Sequence, residues 1–216
     1  MLKYFLPSWL NEKSVVISGG GYLGEWDLYV SSTYKCRVFV FEPARSNFKE
    51  LLPKFKGHRN IRLVLAALWD SDGRAMMYFV SKSNGHSLYN RSKYQQITGA
   101  EYVKCTRLKT YMDIESIATI DLLKLNVEGA EVQILNDIDA DLAKRIKTIC
   151  FSDHVGKITT KEKHQATITH LESIGYRVTP WTGGTWKFTN RWRCEYENPD
   201  LSENADAKIQ GITAHT

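Results

Sequence analysis

A cluster of glycines follows a short apolar run in Val15-Val16-Ile17-Ser18-Gly19-Gly20-Gly21-Tyr22-Leu23-Gly24. Gly19, Gly21 and Gly24 satisfy G-x-G-x-x-G, a spacing that suits a buried strand feeding a tight turn and then a helix. Glycine lets the backbone take positive φ and lets a ligand approach it closely. The helix that follows turns its free N–H groups and positive dipole end toward that ligand. Glu42 comes after the cluster at about the interval expected of an acid that grips ribose hydroxyls. Together these features point to an adenosine-containing cofactor, without choosing between NAD and S-adenosylmethionine.

Three further groups of reactive side chains stand out. Asp121-Leu122-Leu123-Lys124-Leu125-Asn126-Val127-Glu128-Gly129-Ala130-Glu131 is an apolar strand that ends in a run of charge. Asp153-His154 closes another apolar stretch, and His86-Ser87 lies in a polar one. In an open parallel sheet, ligands bind at the carboxyl ends of the strands, where the strand order reverses. Gly19–Gly24, Glu42, Ala66–Trp69, Asn126–Glu128 and Asp153-His154 are therefore expected around one crevice.

The run Asp121–Glu131, read with Phe41-Glu42-Pro43 and with Leu108-Lys109-Thr110-Tyr111-Met112-Asp113, resembles the FkbM-type family of S-adenosylmethionine-dependent O-methyltransferases. The resemblance extends from about Val15 to His154. Its most specific part is Lys124 to Glu131, against the family's K-x-D-x-E-G-x-E signature. It implies S-adenosylmethionine as cofactor, contacted by Ser18, Gly19, Gly20, Gly21, Tyr22, Gly24, Glu42, Pro43, Ala67, Leu68 and Asn126. It also implies methylation of a hydroxyl on a sugar or glycoconjugate, such as a deoxyhexose. Two positions depart from the family pattern. Ser18 and Asn126 stand where the family usually has Asp, so one contact to the cationic methionine end loses its charge and the later signature loses an anion.

Methyl transfer from a sulfonium is an in-line displacement, so the protein mainly has to align acceptor oxygen, methyl and sulfur. A sugar hydroxyl also needs a base for its proton. His154 is the leading candidate because imidazole titrates near neutrality, with Asp153 to orient it or to serve instead. Glu128, Lys124 and Asn126 are further candidates at the crevice, and Glu131 is expected to brace that loop. His86 and Ser87, with Glu128 and His154, are expected to meet the acceptor. A divalent metal held by Asn126, Asp153 and His154 is an alternative to the preferred metal-free site. An NAD-dependent oxidoreductase would use the same glycine turn and Glu42 but leaves Lys124–Glu131 unexplained. A module that keeps the fold and the cofactor but has lost turnover is the other rival.

The elements that must position these groups alternate. Strands are predicted over Val15–Ser18, Arg37–Phe41, Ile61–Ala67, Thr119–Asn126 and Lys147–Ser152, with helices over about Leu23–Ser32, Ala44–Lys54, Gly129–Leu135, Asp139–Arg145 and Thr159–Ile174. Ala75–Val80 and Tyr102–Leu108 read as strands of an excursion over residues 70–108. Tyr176–Thr179 and Trp186–Thr189 read as a terminal hairpin around Thr182-Gly183-Gly184. The expected fold is α/β, a single Rossmann-like domain with a mainly parallel, doubly wound sheet and a terminal antiparallel hairpin, and the resemblance implies that it is a class I methyltransferase domain. It covers residues 15–194, after a lead-in of residues 1–14 packed through Phe5, Leu6, Trp9 and Leu10, and before a polar tail of residues 195–216.

The 216 residues carry a formal charge of +5 and are 43% hydrophobic and 25% charged, as in an ordinary globular chain. The basic residues are scattered and no RNA-binding or zinc-finger motif accompanies them, so no specific nucleic-acid partner is expected. Cys36, Cys105, Cys150 and Cys194 show no metal-binding spacing, which suits a reducing compartment. No apolar run is long enough to span a bilayer and no signal-peptide core is present. The sequence therefore reads as cytoplasmic.

Overall fold

The computed structural model describes residues 8–81, 85–155, 158–180 and 191–197. Ten strands and six helices follow one another as β1 (Val15–Gly19), α1 (Glu25–Tyr34), β2 (Arg37–Phe41), α2 (Arg45–Phe55), β3 (Ile61–Val64), β4 (Ala67–Leu68), β5 (Gly73–Val80), β6 (Ile97–Thr106), α3 (Leu108–Ile114), β7 (Ile120–Leu125), α4 (Glu131–Asn136), α5 (Ala140–Ala143), β8 (Ile146–Ser152), α6 (Lys161–Ser173), β9 (Tyr176–Pro180) and β10 (Arg191–Tyr196). Seven strands form one sheet in the order β3-β2-β1-β7-β8-β10-β9. The first five run parallel, and β10 is antiparallel to both of its neighbours. The strand order reverses between β1 and β7, which opens the crevice beyond their carboxyl ends.

Apolar residues fill both faces of this sheet, because successive side chains of a strand point to opposite sides. Ile17, Phe39, Phe41, Leu123, Leu125 and Ile149 pack with Met112, Ile134, Leu142 and Leu171 on one face. Val16, Val38, Val40 and Leu122 pack with Trp26, Val30, Leu51 and Phe55 on the other. Parallel strands buried on both faces are nearly continuous apolar runs, which is why β2 has the limits its sequence predicts.

The excursion is where the expectations change. The apolar run Ile61–Ala67 is not one strand. It leaves β2 after Val64, and Ala67–Leu68 pairs instead with β6 in a second sheet of order β4-β6-β5. The strand predicted at Tyr102–Leu108 begins earlier, at Ile97, because it pairs antiparallel with the whole of β5, and Leu108 opens helix α3 instead.

At the C-terminal end, the proposed second hairpin arm, Trp186–Thr189, and the turn at Thr182-Gly183-Gly184 lie outside the described residues. The strand that pairs with β9 is β10, so Glu195 and Tyr196 belong to the sheet and not to a tail. Residues 198–216 and 1–7 also lie outside the description. In the lead-in, Leu10 is buried against the α1 side of the core while Trp9 is 42% exposed. All four cysteines are buried and free. Among the described residues, no helix is long and apolar enough to cross a membrane.

Candidate active site

The glycine loop turns at the end of β1 because the Gly20 and Gly21 N–H groups both donate to the Phe41 carbonyl, at 3.0 and 3.1 Å. Gly20 has φ 84°, and a Cβ there would lie 2.1 Å from the Asn126 carbonyl oxygen, so the loop and the chain after β7 are in direct contact. Tyr22 takes the left-handed region, with φ 47°. Its N–H donates to Glu42 Oε2 at 2.9 Å, and the Ala44 N–H donates to Glu42 Oε1 at 3.0 Å. Gly24 packs so tightly on α2 that a Cβ would lie 2.7 Å from both Leu51 and Phe55.

Lys124 supports the loop from inside the sheet. It is 3% exposed, and its Nζ donates to the Gly20 carbonyl at 2.7 Å and to that of Gly19 at 3.3 Å. The ammonium also lies 5.7 Å from the centroid of the Trp26 ring. Asp27 of α1 is buried nearby, and that burial raises its carboxyl pKa against the opposing effect of Lys124. Ser18 is fully buried beside Asp27 and does not line the cavity described below.

The loop after β7 repeats the same design. Glu128, at φ 54°, precedes Gly129, at φ 106°. Left-handed conformations of residues other than glycine cost about 1–3 kcal/mol and persist where surrounding contacts impose them. Here Glu131 imposes it, since its Oε1 accepts from the Val127 N–H at 2.8 Å and its Oε2 from the Gly129 N–H at 2.7 Å. Glu131 thus braces the loop, as its position predicts.

Glu128 itself is held by charge. Its Oε2 accepts from Arg91 Nη1 at 3.1 Å and lies 3.5 Å from His154 Nε2, while His154 Nδ1 lies 3.4 Å from Glu131 Oε2. Burial alone would lower the pKa of His154, but the Glu131 carboxylate, and then that of Glu128, raise it to about 10. Burial would raise the carboxyl pKa of Glu128, and His154 and Arg91 hold it below its ordinary value instead. The imidazole already carries its proton at neutral pH. It cannot take another, so His154 does not fit the role of general base.

These loops and the excursion line one cavity that opens to solvent. Gly20, Tyr22, Glu42, Pro43 and Asn47 line one side. Phe41, Ala67, Leu68 and Met77 line its apolar floor, and His86-Ser87-Leu88 and Asn126-Val127-Glu128 complete it. Most predicted site residues therefore meet in one place. Gly19, Gly21 and Gly24 shape the loop without lining the cavity, and Lys124, Asp153 and His154 do not line it either. Asp153 Oδ1 accepts from the Val155 N–H at 2.7 Å, and its Oδ2 lies 3.4 Å from His164 Nδ1. No group of three His, Cys, Asp or Glu side chains among the described residues could hold a metal ion.

The histidine that does line the cavity is His86. Its Nδ1 accepts from the Val80 N–H at 3.3 Å, and its ring packs edge-on to Phe79. Burial, and then the charge of Arg91, lower its pKa, so it is neutral at neutral pH. A backbone N–H only donates, so Nδ1 is the unprotonated nitrogen and Nε2 carries the hydrogen. Sequence reasoning missed Arg91, a lone arginine in a polar stretch whose burial depends on a carboxylate 37 residues later.

A family model described as the Methyltransferase FkbM domain matches residues 18–178. "Methyltransferase 1" from Beauveria bassiana (strain ARSEF 2860) is 24% identical over 189 residues, covering 77% of this chain and 74% of that protein. Among solved structures, the Methyltransferase FkbM of Methylobacillus flagellatus KT superposes with a TM-score of 0.58 at 15% identity. That superposition covers 87% of this chain but 44% of the other, so the chain spans less than half of that structure. The fibrillarin pre-rRNA processing protein of Methanococcus jannaschii gives 0.52 at 15% identity, over 87% of this chain and 68% of that one. Likenesses at such identities establish a fold, and the fold is that of the class I methyltransferases. With the family model running from the end of β1 through the glycine loop and the Lys124–Glu131 run into β9, the chain belongs to the FkbM methyltransferase family.

Proposed function

We propose that the cavity binds S-adenosylmethionine and that the chain transfers its methyl group to a hydroxyl of a sugar or glycoconjugate. One observation carries the reading: the glycine loop, Glu42 and Asn126–Glu128 wall a single cavity with an apolar floor. Such a cavity suits a nucleoside that bears a positive charge. Its ionisable wall groups besides His86 and Tyr22 are the carboxylates Glu42 and Glu128, and no Lys or Arg lines it among the described residues.

When bound, S-adenosylmethionine supplies an electrophilic methyl group on a sulfonium. Glu42 faces the cavity beside Pro43 and Asn47 and keeps acceptor capacity for the ribose hydroxyls. Ala67 and Leu68 offer apolar contact to the base, while Gly20 and Asn126 meet the methionine end. Lys124 holds the loop carbonyls in place from behind. On the acceptor side, the His86 Nε2–H donates to the acceptor oxygen and orients it, and Ser87 shapes the same wall. Glu128 stays ionised near neutrality and takes the hydroxyl proton as the new bond forms. Alignment of the reacting atoms does most of the catalytic work. The four free, buried cysteines favour a cytoplasmic setting.

The test is a pair of titrations with S-adenosylhomocysteine and NADH, followed by incubation with S-adenosylmethionine and a panel of deoxyhexose acceptors read by product mass. Uptake of S-adenosylhomocysteine alone and one methylated product are expected. Uptake of NADH alone would replace the reading with the oxidoreductase. Cofactor binding without product on any glycan would refute the sugar acceptor.

A further inference from the structure

Residues 85–96 lie between β5 and β6 and contain no strand or helix of that series, yet three of them line the cavity. What fixes them is a set of contacts converging on Arg91. This arginine is 4% exposed. Its guanidinium donates to the Gly85 carbonyl and to Glu128 Oε2. The Gln95 carboxamide lies against the same group and accepts from it at 3.0–3.3 Å when its oxygen is turned inward. Between these anchors, Ser87 Oγ donates to the Glu128 carbonyl at 2.7 Å, and Ser87 exchanges backbone hydrogen bonds with Tyr78.

We propose that Arg91 is a positioning residue whose guanidinium fastens the His86–Leu88 wall to the loop after β7, so that the cavity is closed around the cofactor only while this ion pair is seated. The inference rests on the cofactor reading above in one respect, that the cavity is where the cofactor sits. The physical basis is an asymmetry. A segment tied to the sheet by a single described bridge, Tyr78–Ser87, opens locally at low cost, whereas separating the ion pair would leave the buried Arg91 charge uncompensated. Glu128 has a second cationic partner in His154, and Glu131 braces its loop independently. Loss of Arg91 therefore frees the 85–95 side and leaves the other side standing.

Arg91→Gln and Arg91→Lys in the full chain test this, by hydrogen exchange along the sequence and by stopped-flow release of S-adenosylhomocysteine. Arg91→Gln should raise exchange within 85–95 while β1, β2 and β7 keep their protection, and should speed release by about tenfold or more. Arg91→Lys keeps the charge but loses the fork, and should recover part of the slow release. Unchanged exchange at 85–95, or an increase spread evenly over the chain, would overturn the proposal, as would unaltered release rates. If Arg91→Gln does not fold, Arg91→Lys decides by the same two readings. If the unaltered chain takes up no S-adenosylhomocysteine, the cofactor reading falls, and exchange at 85–95 alone judges the fastening role.

Discussion

Glu42 and Glu128 line the same cavity, yet their surroundings push them in opposite directions. Glu42 is 4% exposed, and burial raises its carboxyl pKa although the Tyr22 and Ala44 N–H groups, Asn47 and Lys124 work against the rise. Glu128 is also burdened by burial, but His154 and Arg91 more than cancel it. On the Glu42 side the fold supplies mainly backbone donors and leaves negative charge that a ligand's hydroxyls or cation can still satisfy. On the Glu128 side the protein has already satisfied its own charge. Carboxylates whose environments drive their pKa values apart serve different tasks, here holding the cofactor on one side and handling the acceptor's proton on the other.

Several changes would break or sharpen that contrast. The largest effect is expected of Gly20→Ala, because the new Cβ meets the backbone oxygen of Asn126 and the φ is unfavourable. Urea unfolding should show a loss of more than about 4 kcal/mol, and near-normal stability would mean that the two walls need not touch. Lys124→Met comes next, stranding the Gly19 and Gly20 carbonyls and leaving Asp27 and Glu42 without their cation. About 3–5 kcal/mol should be lost in the same measurement.

Glu42→Gln separates binding from stability. A buried carboxyl with a raised pKa contributes most while protonated, at pH below its ordinary 4.5, and that contribution is lost as pH rises through the folded-state value. At neutral pH, relief of the buried charge is offset by the loss of one of the two oxygens that accept from the Tyr22 and Ala44 N–H groups, so thermal stability should change little. The substitution should weaken S-adenosylhomocysteine binding about tenfold, near 1.4 kcal/mol, in a calorimetric titration. A large fall in stability with intact affinity would reverse the assignment.

The smallest effect on cofactor binding is expected of His154→Gln. The raised pKa of His154 gives a contribution fully present below pH 6.5 and lost as pH rises through about 10. The variant should flatten the decline in stability across that window while leaving cofactor affinity unchanged. An unaltered pH profile would show that the imidazole is not held between the two glutamates.

Much of this was legible in the sequence, for identifiable reasons. β2 is legible to the residue because Val38–Phe41, buried on both faces, is an uninterrupted apolar run after Arg37. The meeting of Gly20, Glu42, Asn126 and Glu128 is legible because strand ends in a doubly wound sheet share one edge. Other features depend on partners remote in the chain. Leu63–Leu68 is one apolar stretch, and nothing in it marks the step after Val64 from one sheet to another, since the partner that draws Ala67 away is Cys105. His154 follows the end of its strand as the sequence reads, but its proton is held by Glu128 on the loop after β7 and by Glu131 at the start of α4. Arg91 looks like any surface arginine until its carboxylate is seen.

The place of β10 in the sheet has a consequence for how the chain is made. β8 and β9 are not hydrogen-bonded to each other, because β10 lies between them and reaches both. A nascent chain that has emerged only as far as residue 180 therefore presents two strands separated by an empty lane, each with an unpaired row of peptide groups. Such edges recruit other chains, so this half of the molecule is open to wrong partners during synthesis until Arg191–Tyr196 arrives and fills the lane.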